Sequence, residues 1–207
     1  EHGINKPNPF ANMHYGSGAE PVKRLPVPID SIRLVQNECV KLDDDIRWLI
    51  ALISDTGMRL AEAAGLRISD LHLEDEIPFV RLKEHASRPL KTAASSRDIP
   101  LVGSALWAVQ RATTKNRGPF LFPRYCSVNK CKADYASNTL NKWMKPFVPD
   151  GCVIHSFRHS LRDRLRACEC PSDIIDQIGG WATTSVGQGY GSGHPLANLH
   201  RWMKHLE

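Results

Sequence analysis

No apolar run in the chain approaches the roughly 18 residues that a membrane-spanning helix needs, and no secretory signal opens it. Membrane insertion and secretion are therefore not expected. The six cysteines (Cys39, Cys126, Cys131, Cys152, Cys168 and Cys170) lack zinc-site spacing, since four residues separate Cys126 from Cys131 and one separates Cys168 from Cys170. Reduced thiols in a cytoplasmic protein, with no metal, are the expectation. An acidic excess is also missing. Lys plus Arg number 27 against 22 for Asp plus Glu, a net charge of +5. That modest basic bias is compatible with a polyanionic partner and does not by itself establish one.

What is present looks globular. Apolar residues make up 42% and charged residues 24% of 207, enough for a real core in one domain, or a domain plus an arm. The chain begins at Glu1, so a piece of a longer protein is expected. Residues 1–28 are rich in Pro, Gly and Asn without a sustained period, and read as a linker or arm. Order begins after Pro28. Three aspartates precede Ile46, Leu49, Ile50 and Ile53 at helical spacing, and Gly57 breaks the run. A second helix follows and ends near Gly65. Short β-type stretches flank the turn-rich segment 88–96, and helical patterns recur at about 104–114, 136–145, 155–168, 171–178 and 196–206. The fold class is mainly α with a small antiparallel β-sheet.

Five stretches could carry chemistry. In 155–168, Phe157, Leu161, Leu165 and Cys168 form a stripe for the core, and Arg158, Arg162 and Arg166 form a second about 100° away. Those arginines, with His155 one turn before Arg158, are either a solvated basic face or an anion site. Arg59 and Glu62 are either a surface i,i+3 ion pair or a guanidinium held by a carboxylate and aimed at a phosphate. Lys91 is either a solvated lysine on a hairpin connection or a mobile ammonium over a ligand. Trp181, after Gly179 and Gly180, is either core or an indole donor. Tyr190 stands among four glycines with no apolar neighbour in sequence, either an incidental ring on a turn or a hydroxyl that must reach something.

Taken in order, these residues resemble the catalytic domain of the tyrosine recombinases, the phage integrase family. That family carries "TGxRxxE", here Thr56 to Glu62, and "KTxxSxRxxPL", here Lys91 to Leu101. "HxxRH" follows at His155 to His159, then a His or Trp after a glycine step, here Trp181, and a tyrosine nine residues later, here Tyr190. The likeness spans roughly Pro28 to Gly191.

The resemblance implies a site-specific DNA recombinase that cuts and rejoins double-stranded DNA, for integration or excision of a mobile element. It implies that residues 29–207 form the catalytic domain and that 1–28 link it to a separate N-terminal DNA-binding domain. Its chemistry is transesterification: a tyrosine oxygen attacks a backbone phosphate, a 5′-hydroxyl leaves, and a 3′-phosphotyrosyl bond remains. The implied catalytic residues are Arg59, Lys91, His155, Arg158, Trp181 and Tyr190, supported by Glu62 and His159. Arg59, Lys91, Arg158 and Trp181 would also contact DNA. Implied as well are a tetrameric synapse on DNA, no cofactor, no small-molecule substrate, and a cytoplasmic, nucleoid-associated location in a prokaryote or phage host. Two departures stand out: Trp181 in place of the commoner His, and the extra Arg162, Arg164 and Arg166. The latter are expected to pair with Asp163, Glu169 and Asp173 in preference to DNA. The alternative is a non-catalytic DNA-binding module that kept the fold.

Overall fold

In the computed structural model the described residues are 24–115, 118–128, 130–181 and 193–207. Helix α2 (Asp45–Thr56) is the central element. Asp44 caps it by accepting the backbone N–H of Arg47 at 3.1 Å, and every residue from Trp48 to Thr56 is buried. A helix that is apolar almost all round must be covered on several sides. Helices α1 (Ile29–Leu42), α4 (Gly103–Lys115) and α6 (Ser156–Ala167) pack against it. Gly57 closes α2 in the left-handed conformation, with φ of 57°. The short helix α3 (Leu60–Ala64) follows at once.

Strands β1 (Leu71–His72), β2 (Phe79–Leu82) and β3 (Arg97–Pro100) form an antiparallel sheet in that order. Val80 pairs with Leu71 on one side and Ile99 on the other, and Leu82 pairs with Arg97. Val80, Leu82 and Ile99 face the core. On the outer side Arg81 grips its cross-strand partner Asp98 through two hydrogen bonds of 2.9 Å. A second ribbon, β4 (Cys126–Ser127) with β5 (Lys130–Cys131), precedes helix α5 (Ala133–Met144). The sequence showed one sheet; two-residue strands are too short to display alternation.

Two apolar clusters share helix α6. Phe157 belongs to the larger, with α1, α2, α4, α5 and the sheet. Leu161 and Leu165 belong to the smaller, with Ile174, Ile175 and Ile178 of α7 (Ser172–Gly179) and Leu199 and Met203 of α8 (Leu196–Met203). Cys168, expected on the same buried stripe, is half-exposed. Helix α8 thus docks on its own domain, where Arg164 donates to the Leu206 carbonyl at 2.6 Å. Residues 1–23 lie outside the described residues, but the end of the expected arm is fixed. Val27 is buried, its N–H donates to Ser160 Oγ at 2.7 Å, and that hydroxyl lies 3.0 Å from the Val27 carbonyl.

Candidate active site

Arg59 stands at the N-terminus of α3, and Glu62 reaches back to it twice. One carboxylate oxygen accepts the Arg59 backbone N–H at 3.0 Å and the other accepts its Nη1 at 2.6 Å. Glu62 is 4% exposed, so this is no surface pair. It also accepts Arg97 Nη2 at 3.0 Å. Burial works to raise the Glu62 carboxyl, but Arg97 and Arg59 outweigh it and hold the group below the usual carboxylate range. Arg59 Nη1 further donates to Ser95 Oγ at 3.0 Å, and its Nη2 points to the Gly180 carbonyl at 3.5 Å. One guanidinium therefore joins α3, the hairpin connection and the turn after α7.

Arg97 was missed as a site residue. It lies within the quoted Lys91–Leu101 motif, and the period-two pattern of β3 gives the signal, since Arg97 shares the inward face with Ile99. It donates to the Ile178 and Ser95 carbonyls, each at 2.8 Å, besides Glu62.

Arg158 comes from the first turn of α6 and is 4% exposed. Its Nη1 donates to the Gly57 carbonyl at 2.9 Å. Its Nη2 is buried with no hydrogen-bond partner among the described residues. Among the described residues no carboxylate hydrogen-bonds it, although the Glu62 charge favours its protonated form. Burial first, then repulsion from Arg59 and Arg97, pull its pKa down to about 9. It therefore remains a cation at neutral pH, at a cost to the folded state.

Trp181 lies beneath this charge. The Arg158 guanidinium carbon sits 4.4 Å from the indole centre, and that of Arg162 sits 4.9 Å from it. The preceding glycines follow from contact. A Cβ on Gly179 would lie 1.7 Å from the Trp181 ring. Gly180 has φ of 62°, and a Cβ there would meet Arg97 Nη1 at 2.6 Å.

His155 precedes α6 and is half-buried. Burial first, then the charges of Arg24 and Arg158, push it down to about 4, so the imidazole is neutral at pH 7. His159 stands edge-on to it at 5.7 Å and is exposed.

The structure thus gathers Arg59, Glu62, His155, Arg158 and Trp181, and adds Arg97 and Ser95. Lys91 is exposed on the connection that leads to Ser95. Tyr190 and the glycines around it lie outside the described residues. The extra arginines are ion-paired as expected, but mostly with other carboxylates. Arg162 takes Asp176 at 3.0 Å and Arg164 takes Asp55 at 3.0 Å, and only Arg166 reaches Asp163, at 3.9 Å. Asp173 is occupied by His194. Among the described residues no three His, Cys, Asp or Glu side chains converge as a metal site requires. Chemically, the cluster is a cationic seat beside a neutral imidazole, suited to an oxyanion bearing one to two charges.

The chain belongs to the phage integrase family, whose model matches residues 31–193. No curated protein matches it significantly in sequence. Its fold is similar to XerA recombinase, with a TM-score of 0.59, 18% identity, and coverage of 88% of this chain and 64% of that one. It also resembles the Tn1549 transposon integrase in complex with circular intermediate DNA, with a TM-score of 0.58, 18% identity, and coverage of 91% and 69%. A lambda integrase dimer bound to a core site gives 0.52 at 15% identity, with coverage of 83% and 61%. The chain therefore spans a little under two thirds of XerA recombinase.

Proposed function

We propose that this chain is the catalytic domain of a site-specific recombinase that cuts and rejoins double-stranded DNA through a 3′-phosphotyrosyl intermediate, to integrate or excise a mobile element. The observation that carries it is Arg158, a buried cation whose Nη2 has no partner among the described residues, placed beside Arg59 and a neutral His155. A module that only bound DNA would gain little from burying a guanidinium whose charge is only partly offset. A transition state whose charge rises from one toward two does gain from it.

In this reading Arg59 and Arg158 hold the non-bridging oxygens of the scissile phosphate. Tyr190 attacks phosphorus, the P–O5′ bond breaks as the Tyr190 O–P bond forms, and no phosphoester is lost. A tyrosine with pKa near 10 needs a base at neutral pH. His155, neutral there, accepts the phenolic proton, with His159 at its edge. Lys91, on an exposed connection, protonates the leaving 5′-oxygen. Trp181 holds the Arg158 plane by stacking, and Glu62 orients Arg59. Residues 1–28 link residues 29–207 to a separate DNA-clamping domain, and four copies synapse two sites in the cytoplasm, at the nucleoid. A nicked suicide duplex bearing the cognate site tests this. Wild type should become covalently attached and Tyr190→Phe should not; absence of an adduct with wild type on the cognate site overturns the reading.

A further inference from the structure

The ribbon β4–β5 brings together two cysteines for which the DNA chemistry has no use. Cys126 and Cys131 are direct cross-strand partners, and Ser127 and Lys130 close the turn. The Lys132 N–H donates to the Tyr125 carbonyl at 2.7 Å, which marks that pair as hydrogen-bonded. Alternation along an antiparallel ladder makes the adjacent pair, Cys126 and Cys131, the non-hydrogen-bonded one, whose side chains come closest. Cα atoms in such pairs are about 4.5 Å apart, within the roughly 4.4–6.8 Å that a disulfide spans. The two thiols are therefore placed next to each other across the ribbon.

Their surroundings differ in the way an attacking and a resolving thiol differ. Cys126 is buried. Cys131 is half-exposed and opens onto a surface pocket with Arg124, Lys130, Lys132, Asp134 and Tyr135. A partly exposed thiol among cations is the setting in which thiolates form. The neighbouring Cys126 thiol lowers the Cys131 pKa against the opposing effect of burial, and Arg88 lowers it further. The same neighbour relation, with burial, raises that of Cys126. Burial instead pushes Cys39 up to about 12 and Cys170 to about 11.

We propose that Cys126 and Cys131 form a peroxide-sensitive dithiol that closes to a cross-strand disulfide. The Cys131 thiolate attacks one oxygen of hydrogen peroxide. An S–O bond forms, the O–O bond breaks, and the second oxygen leaves as water after taking up a proton. The Cys126 sulfur then attacks the sulfenic sulfur of Cys131. The S–S bond forms, the S–O bond breaks, and the hydroxyl leaves with the Cys126 proton as a second water. Two thiols lose two electrons and the peroxide gains them.

The test uses the full 207-residue chain, reduced and then exposed to a small excess of hydrogen peroxide at pH 7.5, alkylated and digested with trypsin. Lys130 lies between the two cysteines, so the disulfide joins the peptides Tyr125–Lys130 and Cys131–Lys132. That joined species should form on the order of tenfold faster than oxidation at any other cysteine, and dithiothreitol should reverse it. In Cys126→Ser the reaction should stop at a Cys131 sulfenic acid, trapped by dimedone. Oxidation of another cysteine first, or of Cys131 without the joined peptides in wild type, overturns the proposal.

Discussion

Arg97 and Arg158 are both buried and close enough to repel each other, yet they are held in opposite ways. Arg97 has a carboxylate and two carbonyls for its guanidinium. Arg158 has one carbonyl, an indole face and, among the described residues, no partner for its Nη2. The first arrangement is what a fold does with a charge it must keep. The second suits the anion-holding role proposed for Arg158. Around Glu62 the site is electrostatically closed, and around Trp181 it is open.

Breaking the closed side should have the largest effect. Glu62→Ala leaves Arg59 and Arg97 facing each other without a counter-charge, and should cost about 3–5 kcal/mol in urea unfolding. A loss below about 1 kcal/mol would dissolve the distinction, since that is the scale of an exposed pair. On the open side, Arg158→Met should slow covalent-complex formation by about 10²–10³-fold. Its unfolding free energy should stay within about 1 kcal/mol of wild type, because removing a costly buried cation offsets the loss of its bond to the Gly57 carbonyl. Should Arg158→Met unfold as readily as Glu62→Ala, Arg158 is a structural residue like Arg97.

His155 sharpens the comparison through pH. Its folded pKa lies near 4, below the ordinary value of 6.5, so the unfolded chain binds more protons between those values. Its contribution to stability is complete above pH 6.5 and is lost as pH falls toward 4. Thermal unfolding of wild type should show this slope, and His155→Gln should flatten it. An anion seated beside Arg158 would oppose the repulsion, so DNA binding should be accompanied by proton uptake near pH 5. Calorimetry in two buffers of different ionisation enthalpy measures it. Smaller still is the stack. Trp181→Ala should lose roughly 0.5–2 kcal/mol and Trp181→Phe much less, read by thermal unfolding. Equal losses would remove the ring from the account. Least of all, Arg166→Ala should change stability by under about 0.5 kcal/mol, since its pair with Asp163 is exposed and long.

The helices around the site were legible because their apolar residues recur cleanly. Helix α1 was not. Its buried Ile32, Val35 and Cys39 are diluted by Leu34, Val40 and Leu42, which are exposed on the same fourteen residues, so no period emerges. Local ion-pair reasoning fixed that the extra arginines would be paired but could not find Asp55, which lies 109 residues from Arg164 in sequence. Arg97 escaped because a charged residue in a strand is normally exposed. Its burial depends on Glu62 and the α7 turn arriving from distant parts of the chain. Arg59, His155, Arg158 and Trp181 were named through the family resemblance, and the structure brings them together and separates the guanidinium with a carboxylate partner from the one without among the described residues.

The strap formed by Val27 and Ser160 has a mechanical consequence. It fastens residues 24–28 to the helix whose first turn bears Arg158, two residues before the anchoring hydroxyl. Tension on the chain ahead of residue 24 is therefore delivered to α6 and not to a loose loop. The central helix resists such a pull through Gly57, whose carbonyl Arg158 holds. A pull on the backbone at residue 24 thus has a short lever onto the helix that carries Arg158.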